Sequence, residues 1–188
     1  NGRFGLFLRQ NLDGPIAYHG IDSDATLLDF ARQSLEGVLA SVRLTRLDVL
    51  QEPFPDDVYS LVALFGVIHH IPGFETRRWL IQQLSTLVAP GGLLVFASWC
   101  FFEQPRFRQR IVPWPDDFVI ERHDYLLDWR RGAHALRYCH YVDDAEHGQL
   151  LSTSGLTLVD TYRADGKDGT LNHYAILQRP SSVEEPQN

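Results

Sequence analysis

Short apolar runs alternate with helix-periodic stretches along the first hundred residues, and this alternation restricts the chain to few architectures. AYHGID at residues 17–22 is short, partly apolar and ends on an acid, as a buried parallel strand does. Ser23 then caps a helix expected over residues 24–35, where Leu27, Leu28, Ala31 and Leu35 recur at helical spacing. A second strand is expected over residues 42–48, again ending on an acid. The most apolar run, LVALFGVI at 61–68, reads as a buried strand that breaks at Gly66. A helix is expected over 75–88, with Leu80, Ile81, Leu84, Leu87 and Val88 on one face. Pro90-Gly91-Gly92 stops it and turns the chain into a strand over 93–98. Strands and helices alternating at these lengths imply βαβ units, hence an α/β fold with a doubly wound, mostly parallel sheet.

The last third reads differently. A helix is expected over 144–154, capped by Asp143 or Asp144. Strands over 156–163 and 172–178 flank the turn-rich ADGKDGT, a connection short enough to make them an antiparallel hairpin. Residues 180–188 are a polar tail expected to be disordered. Between Trp99 and Val142 the sheet requires nothing, so residues 100–142 are an insertion within one domain spanning residues 1–179. It carries tryptophans and arginines, and residues 124–129 and 135–142 suit a second hairpin around 130–134.

Composition enters as exclusion. No apolar run approaches the ~18–20 residues of a membrane span, and the opening residues lack a secretory signal pattern, so a reducing cytoplasm is expected. Cys100 and Cys139 match no metal-ligand spacing; two buried thiols and no metal are expected. A formal net charge of −7 argues against a broad nucleic-acid surface. The chain has no methionine, not even an initiator, and opens inside a glycine-bearing loop. Residues are therefore expected to precede Asn1, among them the first strand of the sheet.

That loop, Asn1-Gly2-Arg3-Phe4-Gly5, lets backbone pass close to a ligand while the next helix offers free N–H groups. Asp22 follows about twenty residues on, where nucleotide folds place an acid on ribose hydroxyls. Asp48, ending the next strand, can accept from an adenine amino group, with Leu47 and Val49 packed on the ring. Glycines and Asp22 alone fit a nicotinamide-dependent dehydrogenase as well, but the antiparallel hairpin and Asp48 fit it less. The order of these motifs resembles the class I S-adenosylmethionine methyltransferases, whose Rossmann-like fold carries such a terminal hairpin. Asn1-Gly2 resembles the end of the family's first motif, and Asp22-Ser23 and Asp48-Val49 its ribose and adenine contacts. Phe65-Gly66-Val67 and the following His69-His70 resemble the segment beside the methionine moiety. Pro90-Gly91-Gly92 resembles the turn before the fifth strand. The resemblance implies S-adenosylmethionine as cofactor, S-adenosylhomocysteine as product, and methyl transfer; a catalytically silent partner subunit is the alternative.

Methyl transfer needs a general base only if the nucleophile carries a proton. His69 and His70 are the candidates, or they merely pack and hydrogen-bond the loop. In the insertion, DYLLDW at 124–129 followed by Arg137-Tyr138-Cys139-His140 resembles a segment of the tRNA wobble-uridine carboxymethyl methyltransferases, with Cys139 where they have tyrosine. A carboxylate acceptor is already ionised near pH 7 and needs no base. The resemblance implies that Arg137 holds it, Tyr138 and His140 orient it, and Trp99 or Trp129 stacks on a base. The acceptor is thus tRNA or a small-molecule acid; a small partner protein can supply the positive charge that tRNA requires.

Overall fold

The computed structural model describes residues 1–115, 120–129 and 135–181. Two compact units divide the chain, Asn1–Pro55 and Asp56–Asn188. Among the described residues, no helix is long and apolar enough to cross a membrane.

The first unit holds helix α1 (Arg3–Asn11), strand β1 (Ala17–Asp22), helix α2 (Ala25–Leu35) and strand β2 (Ser41–Arg46). The strands pair in parallel, from Ala17 opposite Ser41 to Asp22 opposite Arg46. Helix α2 buries Leu28, Ala31 and Leu35, three of the four apolar positions whose spacing predicts it, and leaves Leu27 exposed at the edge of that stripe. Leu35 is fully covered, which stabilises by ~2 kcal/mol. Gly5 of α1 lies against it: a Cβ there would stand 2.8 Å from Leu35 Cδ2, so the helices approach only through a glycine. The cap falls one residue later than expected. Asp24, not Ser23, accepts hydrogen bonds from the N–H groups of Thr26 and Leu27, because its extended backbone aims the carboxylate into the first turn.

The second unit is built on β3 (Tyr59–Phe65), β4 (Val88–Trp99), β8 (Thr157–Ala164) and β9 (Asn172–Gln178) in the order β3-β4-β9-β8. β3 and β4 are parallel, whereas β9 is antiparallel to both β4 and β8, as the short connection requires. Helix α3 (Phe74–Thr86) ends before Pro90-Gly91-Gly92, and β4 runs through that tripeptide instead of starting after it. The pairing jumps from Tyr59–Val88 to Leu61–Leu93, so the extra residues bulge out of the ladder. Gly91 N donates to Arg179 O and Arg179 N to Gly92 O, which continues the strand on its other side. A Cβ on Gly92 would meet Ala89 O at 2.9 Å and Ser60 O at 3.0 Å.

The insertion contains helix α4 (Pro105–Arg108) and a sheet in the order β5 (Ile111–Val112), β6 (Asp124–Trp129), β7 (Ala135–His140). β6 and β7 pair antiparallel, Asp124 opposite His140 and Trp129 opposite Ala135. Phe101, Leu127 and Cys139 form its core, packed by Trp99, Phe102, Phe107, Ile111, Tyr125 and Tyr141. Cys100 and Cys139 are free, buried thiols, as expected. Helix α5 (Asp144–Thr153) follows, capped by Asp143. The expected turn at 130–134 and the tail from 182 on lie outside the described residues.

Candidate active site

In the first unit, parallel pairing brings the two predicted nucleotide-binding acids to one edge. Leu47 N donates to Asp22 O (3.1 Å), so the exits of β1 and β2 lie side by side, with Asp22 the last residue of β1 and Asp48 just beyond β2. Asp22 Oδ1 accepts Asp24 N–H (2.9 Å), and its other oxygen has no hydrogen bond among the described residues. Ser23 contributes its carbonyl to Arg46 Nε (3.1 Å). Asp48 folds the next turn: its carboxylate accepts Leu50 N–H (3.0 Å) and Gln51 Nε2 (2.9 Å), and Val49 beside it is half-buried. Gly2 precedes α1 with φ +77°, a conformation that favours glycine, and Asn1 Oδ1 accepts Arg3 N–H.

In the second unit, Phe65 ends β3 and is 38% exposed, edge-on to Tyr174. Gly66 at φ +73° then reverses the chain through Val67 into a 3-10 turn, Ile68–His70. His69 is buried between His70 and Trp99. Burial above all, with His70 and Arg137 nearby, pulls its ring down to about 3, so it stays neutral. His70 Nδ1 lies 2.9 Å from Tyr138 O. A carbonyl only accepts, so Nδ1 carries the proton and the lone pair is on Nε2, which has no partner among the described residues.

Strand alternation divides the Arg-Tyr-Cys-His run between two faces. Arg137 and Cys139 share one. Cys139 Sγ is 3.7 Å from His70 Nδ1, and burial pushes its thiol up to about 12, leaving it inert. The exposed Arg137 guanidinium lies over the Trp129 ring at 4.3 Å and has no acidic partner among the described residues.

Tyr138 and His140 point the other way, into a buried ionic network. Tyr138 Oη donates to Asp124 Oδ1 (2.7 Å), and burial together with this bond raises its pKa. His140 is 1% exposed, with Nδ1 2.7 Å from Asp124 Oδ1 and Nε2 2.7 Å from Glu146 Oε2. At the centre is Arg77 of α3, fully buried. Its Nε donates to Glu146 Oε1 (2.6 Å), Nη1 to Ile71 O (2.9 Å) and Nη2 to Glu121 Oε2 (3.0 Å), and Nη2 lies 3.0 Å from His140 Nε2. Burial opposes ionisation of Glu146 and Asp124, but the bonds from His140 to both, and from Arg77 to Glu146, hold these carboxyls below their usual range. Glu121, Asp124 and His140 have metal-ligand spacing, within 4.8 Å of one another; the cation beside Glu121 and His140 is Arg77. Sequence reasoning missed this residue, yet a signal was present: Arg77 stands three, four and seven positions before Leu80, Ile81 and Leu84, on the buried stripe of α3. An arginine there must find partners.

A family profile described as "Methyltransferase domain" matches residues 1–94. The chain is 33% identical over 84 residues to a probable tRNA methyltransferase 9B of Mus musculus, a match covering 45% of this chain and 16% of that protein. Its fold is that of a SAM-dependent methyltransferase from Methanosarcina mazei, TM-score 0.71 at 16% identity over 96% of this chain and 89% of the other. It also superposes on the N-methyltransferase NodS of Bradyrhizobium japonicum in complex with S-adenosyl-L-homocysteine, TM-score 0.61 at 16% identity, covering 96% and 74%. Half of the chain satisfies the family profile and nearly all of it adopts the fold of these enzymes: the chain belongs to the class I methyltransferase-domain family.

Proposed function

We propose that this protein transfers a methyl group from S-adenosylmethionine to a carboxylate carried on a tRNA base. The observation that carries the reading is Arg137: exposed, stacked on Trp129 and without an acidic partner, it offers the planar donor edge that a carboxylate accepts. The cofactor, when bound, supplies a methyl group on a positively charged sulfur. A carboxylate is already ionised at neutral pH, so the protein's task is alignment, and a fixed arginine serves it.

The first unit suits an adenosyl group. Asp22 keeps an oxygen for a ribose hydroxyl. Asp48 retains lone pairs for an adenine amino group beside the half-buried Val49, and the Gly2 turn admits close backbone approach. Phe65, Gly66 and Val67 are assigned to the methionine side on the family resemblance. A polyanionic acceptor is supported by the insertion's arginines: Arg106, Arg108, Arg110 and Arg122 are all exposed, and none forms an ion pair among the described residues. The tRNA assignment of the mouse relative points the same way. A second reading, a small carboxylic acid, is favoured by the net charge of −7.

The experiment is methyl transfer by the full-length protein to tRNA bearing 5-carboxymethyluridine, beside a panel of small acids. Ester formed on the tRNA, and lost in Arg137→Ala at unchanged S-adenosylhomocysteine affinity, is expected. Ester on a small acid alone selects the second reading, and methylation undiminished in Arg137→Ala removes the carboxylate assignment.

A further inference from the structure

We infer that Arg77 is a positioning residue: it ties the turn bearing His69 and His70 to the hairpin bearing Arg137, and so fixes the place where the acceptor's carboxylate is received. The inference rests on the reading of Arg137 given above.

Arg77 Nη1 holds Ile71 O, the residue directly after His70. Its Nη2 faces His140 of β7 and Glu121 just before β6, and its Nε holds Glu146 of α5. One planar fork therefore donates to three segments in different directions, the turn at Ile71, Glu121 ahead of β6 and Glu146 of α5, which a single ammonium cannot do. On the far side of β7, Tyr138 O receives His70 and Cys139 Sγ lies 3.7 Å from the same ring, so the turn and the strand are clamped from two sides. Arg137 stands next in that strand, its guanidinium resting on Trp129. Burial lowers the His70 pKa most; the Tyr138 carbonyl raises it, and the Arg137 charge lowers it further. The His70 titration consequently reports whether Arg137 is in place.

The test uses the full-length protein and histidine NMR. In the wild-type background, Arg137→Gln removes a lowering influence and the His70 pKa rises. In the Arg77→Lys background one of the two clamps is lost, and the same substitution is expected to raise the His70 pKa by less. An equal rise in both backgrounds overturns the inference and leaves Arg77 a purely structural residue. Should Arg77→Lys lose cooperative unfolding, Glu121→Ala takes its place, removing one grip at a side chain that is 40% exposed; a diminished rise is expected there, and a full rise overturns the inference. With tRNA bearing 5-carboxymethyluridine, Arg77→Lys is expected to raise KM roughly tenfold at unchanged S-adenosylhomocysteine affinity. If wild type does not methylate that tRNA, the carboxylate reading fails, and the NMR comparison still decides whether Arg77 positions Arg137.

Discussion

Replacing Arg77 by methionine tests the buried network energetically. Methionine keeps an apolar stem on the buried face of α3 but deletes the cation and all of its hydrogen bonds. Glu121 is 40% exposed and can turn to water, so its loss of partner costs little. Glu146 is 14% exposed and is left with the His140 ring as its remaining side-chain partner. Removing one member of a buried pair costs ~3–5 kcal/mol. Because one of the two carboxylate partners is half-solvated, a value near the lower end, about 3 kcal/mol, is expected. In urea, with a slope of about 2 kcal/mol/M, the unfolding midpoint falls by roughly 1.5 M. Adding Glu146→Gln should recover part of the loss, with a coupling of ~1–3 kcal/mol in the double-mutant cycle. A midpoint shift worth less than about 1 kcal/mol, or strict additivity of the two substitutions, would refute the claim that Arg77 neutralises a desolvated carboxylate.

Two further outcomes follow from the same structure. Gly92→Ala drives a methyl group toward Ala89 O and Ser60 O and should destabilise by ~2 kcal/mol, read as a lowered urea midpoint; no change would mean that the bulge in β4 yields freely. Stability should also fall as pH drops below 6.5: burial holds folded His69 near 3 and His147 near 4, so the unfolded chain binds more protons across that range. His147 alone contributes about 3 kcal/mol at the acid limit, so His147→Phe should flatten the pH dependence, and equal wild-type stability at pH 7 and pH 5 would contradict the assignment.

Periodicity and turn chemistry located most elements because those signals are local. β1, α2 and the β8–β9 hairpin lie where the pattern of apolar positions and the ADGKDGT turn put them. Boundaries set by non-local partners were less legible. β4 extends back through Pro90-Gly91-Gly92 because Arg179, nearly ninety residues on, supplies its ladder partners. The site shows the same limit. Arg137, Tyr138 and His140 were drawn together by motif, and β7 does hold all three, but its alternation leaves Arg137 exposed and turns Tyr138 and His140 into the network. That division was readable in principle from the two-residue period. The identity of the partners was not, since Arg77, Glu121 and Glu146 lie on three other segments.

The most direct measurement of the central claim is calorimetric titration of S-adenosylhomocysteine into the full-length protein and its Asp22→Ala variant. Micromolar or tighter binding by wild type, weakened about a hundredfold or more in the variant, is the predicted result. No binding by a protein shown to be folded, or equal affinity in the variant, would contradict it.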